Sequence, residues 1–243
     1  RQHIDYRDHA QINELGHWFR DSPLKMHSLH APMYTDDVWG RSGPQAVVDI
    51  TESTKAKRMR MVDEIKWAIE TADVVPFRYL IQHIGVAGQE YDERRIEAAF
   101  SSLEEIRSFA GQRGVEVLLE NTPNAFSTGQ RLNEFLAQTH LNPNYCFDIG
   151  HAHMSHGIDD QFERMKPRIR STHIHDNNGQ EDQHLFPGKG SIDWAHAMRL
   201  LKSCSEHCPL LLELREPADM ERPIEEAKRA AEDLLRQPEE NER

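Results

Sequence analysis

Cysteine is scarce: Cys146, Cys204 and Cys208 are the only three in 243 residues. An odd count without a regular framework excludes a disulfide scaffold and fits a reducing compartment. Cys204 and Cys208 lie four apart in a stretch with helical patterning, and read as small apolar fillers rather than a metal pair or redox couple. No apolar run approaches the ~20 residues a membrane helix needs. The opening RQHIDYRDHA is charged and has no apolar h-region, so no signal peptide is expected, and the cytoplasm is the expected compartment. Basic residues are also short, 29 Lys and Arg against 41 Asp and Glu for a net charge of -12, which argues against a nucleic-acid partner held by phosphate neutralisation. No glycine-rich phosphate loop follows an early strand, and this sets a doubly wound nucleotide-binding sheet aside. The chain begins at Arg1 rather than Met, so a preceding N-terminal piece is expected.

What is present is a regular alternation. Strand-like runs occur at 24–32, 77–85, 115–121, 144–151, 168–176 and 209–215. A helix is expected over 9–18, and segments 54–73, 92–114, 192–207 and 223–237 repeat apolar residues at helical spacing, with Gly114 as a stop and Pro223 near a helix start. Strands alternating with helices imply parallel pairing in an α/β fold. The pattern predicts a (β/α)8 TIM barrel whose first one or two β/α units are missing from this chain. Residues 1–237 are expected to form one barrel domain and 238–243 a disordered tail.

The barrel choice rests on where the polar residues fall. His27 and His30, His83, Glu120, Asp148 with His151, His173 with His175, and Glu213 all stand at or near the ends of predicted strands, where a TIM barrel gathers its functional groups. Glu120, Asp148, His173 and Glu213 supply three carboxylates and one imidazole, an oxygen-rich set that suits Mn, Mg or Co, and less often Zn. These four are expected to converge at about 2.0–2.4 Å from one divalent cation. Around them lie His30, His83, His151, Asp182 and His184, either holding further ions or substrate, or orienting the ligands. Asp182 and His184 sit in the dense stretch STHIHDNNGQEDQHLFPGKG (171–190), whose Pro187-Gly188-Lys189-Gly190 turn leads into the next helix. His151, Asn121 and Lys189 are the candidate substrate-binding residues. His153, His156 and His175 read as loop residues or as partners that orient a ligand, and His3, His9, His17, His140, His196 and His207 as surface residues.

The segments LLENTP (118–123), CFDIGHAH (146–153) and HIHDNNGQEDQHLFPGKGSIDW (173–194), within a likeness that runs from HSLHAP (27–32) to LLLELREP (210–217), resemble the xylose-isomerase-like TIM barrels. That superfamily includes sugar isomerases and epimerases, inosose dehydratases and the endonuclease IV type of apurinic endonuclease. The resemblance implies that Glu120, Asp148, His173 and Glu213 form a single-metal site, that His151 contacts substrate, and that these barrels often pair, which allows a homodimer. By the same resemblance, Glu120 and Glu213 perform the proton transfers from opposite faces of the substrate carbon. The ketose 3-epimerases tend to carry an arginine a few residues past the ligand histidine, where this chain has Asn177, Asn178 and Gly179.

Three functions are therefore expected in order. The first is a divalent-metal-dependent isomerase or epimerase, or a related lyase, acting on a sugar, polyol or keto acid through an enediolate. The second is a zinc-dependent apurinic-site endonuclease of the endonuclease IV type, whose nine ligand types match His30, His83, Glu120, Asp148, His151, His173, Asp182, His184 and Glu213. The acidic loop GQEDQH lacks the basic and wedging residues such an enzyme uses to bend DNA. The third is a barrel that has lost turnover.

Overall fold

The computed structural model describes residues 4–35, 43–204, 208–217 and 220–236. The expected tail at 238–243, together with His3 and His207, lies outside the described residues. The chain divides into two compact units. The first takes in 1–119, 124–126 and 135–143, and the second 120–123, 127–134 and 144–243.

In the first unit, α1 (His9–Asp21) is started by Asp8, whose side chain accepts from the Ala10 and Gln11 amides. It is followed by β1 (Met26–His30), α2 (Lys55–Glu70), β2 (Phe77–Gln82), α3 (Glu93–Gly111) and β3 (Glu116–Glu120), whose last residue begins the second unit. Strand β1 pairs parallel with β2, and β2 parallel with β3, in the registers Met26↔Phe77 and Tyr79↔Glu116. Asp92 caps α3 by accepting from the Arg94 amide, and Gly114 reverses the chain at φ 71° before β3. Ile65, Ile69, Leu80, Ile81 and Leu103 are fully enclosed and form the core of this unit.

The second unit repeats the pattern with β4 (Asn144–Asp148), α5 (Ile149–Met154), α6 (Ile158–Met165), β5 (Ile169–Ile174), α7 (Trp194–Lys202), β6 (Leu210–Leu212) and α8 (Pro223–Leu235). Strands β4 and β5 pair parallel with Asp148 opposite His173, and β5 and β6 pair parallel with His173 opposite Leu211. One further helix, α4 (Gly129–Gln138), contributes residues to both units.

All six expected strands are present, and every pairing within the two units is parallel. Strands β3, β4 and β5 are buried almost throughout; β3 and β4 carry the continuous apolar runs 117–119 and 145–147, whereas β5 carries Arg170, Ser171 and Thr172. The ends of these strands carry charge into the same buried layer: Glu120 is 1%, Asp148 0% and His173 3% exposed. Groups of this kind are almost never fully buried unless paired, so the strand ends mark the place to look for chemistry.

Candidate metal centre

Four residues of the second unit converge. His173 Nδ1 lies 2.9 Å from Glu120 Oε1, 2.9 Å from Glu213 Oε2 and 3.9 Å from Asp148 Oδ2. One donor atom from each of the four lies within 4.8 Å of every other. Backbone register does the placing. Asp148 ends β4 opposite His173 of β5, and Glu213 follows β6 with its amide bonded to the Ile174 carbonyl at 3.1 Å.

Asp148 is held unusually firmly. The Asn121 side chain donates to the Asp148 carbonyl at 2.8 Å and accepts from the Asp148 amide at 2.8 Å. Asp148 Oδ1 then accepts from the His151 amide at 2.7 Å, starting α5. That leaves Oδ2 buried with no hydrogen-bond partner among the described residues. An orphaned carboxylate oxygen in a buried site is costly. With three carboxylates facing one imidazole, the set carries excess negative charge, and burial, which opposes a charged His173, is overcome by Cys146, Glu120 and Glu213 so that His173 holds its proton well above the usual range. A divalent cation fits this donor set better than a proton does: it would give Asp148 Oδ2 its missing partner and neutralise more of the charge.

A second group lies in the same unit. His151 Nδ1 donates to the Asn121 carbonyl at 2.9 Å, and its Nε2 is 3.4 Å from Asp182 Oδ2. His184 Nδ1 donates to the Glu213 carbonyl at 3.0 Å, and its Nε2 is 3.1 Å from Asp182 Oδ2. His175 joins them, so that four donor atoms again fall within 4.8 Å of one another. Burial opposes charge on both outer histidines, yet Asp148 and Asp182 raise His151 to about 10, and Asp182 raises His184 to about 8. Burial likewise opposes a charged Asp182, but the two imidazoles hold its carboxyl far below the usual carboxylate range.

The loop that carries Asp182 and His184 is tied down by Asp176, a residue the sequence reading passed over. Its carboxylate accepts from Gly188 N at 2.9 Å, Ile192 N at 3.2 Å and Trp194 Nε1 at 2.8 Å. The signal was available in the spacing of D-N-N, P-G-K-G and I-D-W, but only the fold brings them together. Asn177, where the ketose epimerases tend to have arginine nearby, is buried and donates to the Gly150 carbonyl at 2.9 Å while accepting from Gly179 N at 2.8 Å.

The remaining expected residues fall as follows. In the first unit His30 Nδ1 donates to the Ala31 carbonyl at 2.7 Å, and its Nε2 is 3.2 Å from His83 Nε2. His27 packs edge-on to Tyr79 with ring centroids 5.2 Å apart. Asn121 has both ends of its amide engaged by the Asp148 backbone, and Lys189 is exposed on its turn. His153 Nε2 lies 2.8 Å from Ser191 Oγ, and His156 is exposed. His9, His17 and His140 are exposed, and His196 pairs with Asp159 at 2.8 Å. Helix α7 ends at Lys202, so Cys204 lies just beyond it rather than within the helix, and Cys204 and Cys208 line an apolar groove with Leu201, Leu210 and Leu234. His175, expected in a loop, is fully buried directly after β5.

Comparison with known proteins agrees with the fold. Over 164 residues the chain is 28% identical to Uncharacterized protein MJ1614 of Methanocaldococcus jannaschii, covering 64% of this chain and 63% of that one. The chain spans under two thirds of the length of the first two curated relatives it matches. Among solved structures, a D-tagatose 3-epimerase-like protein superposes with a TM-score of 0.76 at 24% identity, covering 94% of this chain and 82% of that one. The IOLI protein with a bound zinc atom superposes with a TM-score of 0.72 at 19% identity, covering 97% and 84%. A family model described as xylose isomerase-like TIM barrel matches residues 2–237, and with strand ends that gather carboxylates and imidazoles as such a barrel does, the chain belongs to that family.

Proposed function

We propose that the protein is a divalent-metal-dependent isomerase or epimerase acting on a sugar or a related polyol or keto acid, by proton transfer at a carbon next to a carbonyl. The observation that carries this reading is the convergence of Glu120, Asp148, His173 and Glu213 around the orphaned Asp148 Oδ2. A divalent ion held by these four would supply the positive charge that favours an enediolate. Asn121 and the α5 cap keep Asp148 in one orientation, so the donor set is preorganised rather than assembled on binding. Mn, Co, Mg and Zn all suit these donors.

Glu120 and Glu213 are the proton-transfer groups in this reading. Their environments differ: the Glu120 side chain is 1% exposed and that of Glu213 34%, so Glu213 is the one a substrate reaches from solvent. The sugar-processing names of solved neighbours, among them L-ribulose 3-epimerase, support a carbohydrate substrate. The test is Glu213→Gln, which keeps an oxygen donor and removes the base. Its turnover is expected to fall at least ~100-fold, within the range for general-base removal. Near-normal exchange of the substrate proton in deuterated water by this variant would move the base elsewhere.

The second reading, a zinc-dependent apurinic-site endonuclease, is favoured by one observation, the His151, Asp182 and His184 cluster beside the first four groups. Cleavage of abasic DNA by the zinc-loaded protein, with no deuterium entering any sugar, would select it.

A further inference from the structure

An imidazole serves a metal centre only when the right nitrogen faces the ion. His173 Nδ1 lies 2.9 Å from Glu120 Oε1 and 2.9 Å from Glu213 Oε2, and the two ring nitrogens diverge, so Nε2 is turned away from the carboxylates. The four donor residues do not by themselves fix this pose. Half a turn about the bond that joins the ring to Cβ, a torsion with two nearly equivalent wells, would put a ring carbon where Nδ1 stands. A ligating histidine is held against that flip by a partner on its other nitrogen.

Cys146 stands on the same side of the sheet as the donors. It precedes Asp148 by two residues on β4, so both side chains lie on one face of the strand. Parallel pairing puts Cys146 opposite Ser171 and Asp148 opposite His173, which leaves Cys146 one pleat below the His173 ring. Its thiol is free, fully enclosed and hydrogen-bonded to that ring. Burial pushes the thiol up to about 12, with His173 working the other way, so the sulfur stays neutral. Neither His173 nitrogen is among the buried polar atoms that lack a partner, whereas both nitrogens of His175 are.

We infer that Cys146 is a positioning residue of the metal centre: its sulfur takes the Nε2 hydrogen of His173 and so fixes the ring with the Nδ1 lone pair directed at the ion. The inference rests on the metal centre proposed above. This place behind a ligating histidine is commonly held by a carboxylate, a carbonyl or water. A carboxylate here would add a fourth negative charge beneath Glu120, Asp148 and Glu213. A neutral thiol accepts the hydrogen, if weakly, without that charge.

The test is calorimetric titration with Mn of chelator-stripped wild type, Cys146→Ser, Cys146→Val and Cys146→Ala, with urea unfolding to report folding separately. Serine keeps an atom that accepts the hydrogen, whereas valine keeps apolar bulk and offers no acceptor. Cys146→Val and Cys146→Ala should bind Mn ~10–100-fold more weakly than wild type, the range for a group that orients a ligand, and Cys146→Ser should stay within ~10-fold. If affinity instead follows bulk, with Cys146→Val equal to wild type and Cys146→Ser as weak as Cys146→Ala, Cys146 only fills space and the inference falls. A second measurement needs no variant. In zinc-loaded wild type, nuclear magnetic resonance should find a slowly exchanging ring hydrogen on His173 Nε2, close to the Cys146 β hydrogens. A hydrogen on Nδ1, or one on Nε2 with no contact to Cys146, overturns the inference even where the variants fail to fold. A wild type that binds neither Mn nor Zn overturns the metal centre itself, and this inference with it.

Discussion

Asp148 shows how a single residue carries several duties. Its backbone is clamped by Asn121, one carboxylate oxygen starts α5, and the other is left aimed into the site. Asn121→Ala removes both clamping bonds from a buried location. The expected cost is about 2–4 kcal/mol of stability, because two buried backbone groups lose their partners. The expected loss in affinity for the first ion is ~10–100-fold, as for other groups that orient a ligand. Calorimetric titration of the stripped variant with Mn reads the second effect and urea unfolding the first; a stability loss with unchanged Mn affinity would show that Asp148 needs no clamp.

At the scale of elements, the strands and their final residues were readable because the central strands are buried on both faces. An apolar run that stops abruptly at Glu120 or Asp148 announces both the strand and its functional end, whereas His173 follows Arg170, Ser171 and Thr172 and is placed by its register with β4. Three helices were not readable. Helix α5 begins on the residue that ends β4, with Asp148 as its cap, so no linker separates strand from helix. Helices α4 and α6 are only 10 and 8 residues long, too short for a periodic pattern to stand out. His175 was partly readable, since its spacing of two from His173 puts both on one side of an extended chain. Its burial depended on Gly150 and His184, which lie far away in sequence.

The 177–192 loop allows a sharp contrast between two glycines. A Cβ on Gly190 would strike Asp176 Oδ1 and the Asn177 carbonyl, whereas one on Gly188 meets nothing within 4 Å. Gly188 nevertheless sits at φ 82°, where an alanine costs about 1–2 kcal/mol. Gly190→Ala must push backbone aside and undo the Asp176 contacts, so it should destabilise more than Gly188→Ala. Hydrogen exchange across 177–192 should rise for both variants, and more for Gly190→Ala than for Gly188→Ala. Equal exchange in the two variants would contradict the role given to Asp176.

At the scale of the whole molecule, the chain carries an excess of 12 negative charges, and its buried carboxylates include a donor set that a divalent cation would fit. No helix among the described residues is long and apolar enough to cross a membrane. Global stability should also respond to alkali through Tyr145. Burial raises its phenol above the usual value, with Arg168 working the other way, and its hydroxyl donates to Asn133 Oδ1 at 2.8 Å. The folded chain therefore holds this proton more tightly than the unfolded one, whose phenol titrates near ~10. The stabilisation is full below pH ~10 and is lost as pH climbs above it. Tyr145→Phe should cost about 1 kcal/mol at neutral pH for the hydrogen bond and show a flatter decline in urea midpoint between pH ~10 and ~12. A decline as steep as that of the wild type would assign the alkaline sensitivity to another group.

The central claim is that Glu120, Asp148, His173 and Glu213 hold one divalent ion. Anomalous diffraction from crystals grown with Mn tests it most directly. The account predicts a peak about 2.0–2.4 Å from donor atoms of all four residues, Asp148 Oδ2 among them. No peak at these four side chains, or Mn bound only elsewhere on the protein, would contradict it.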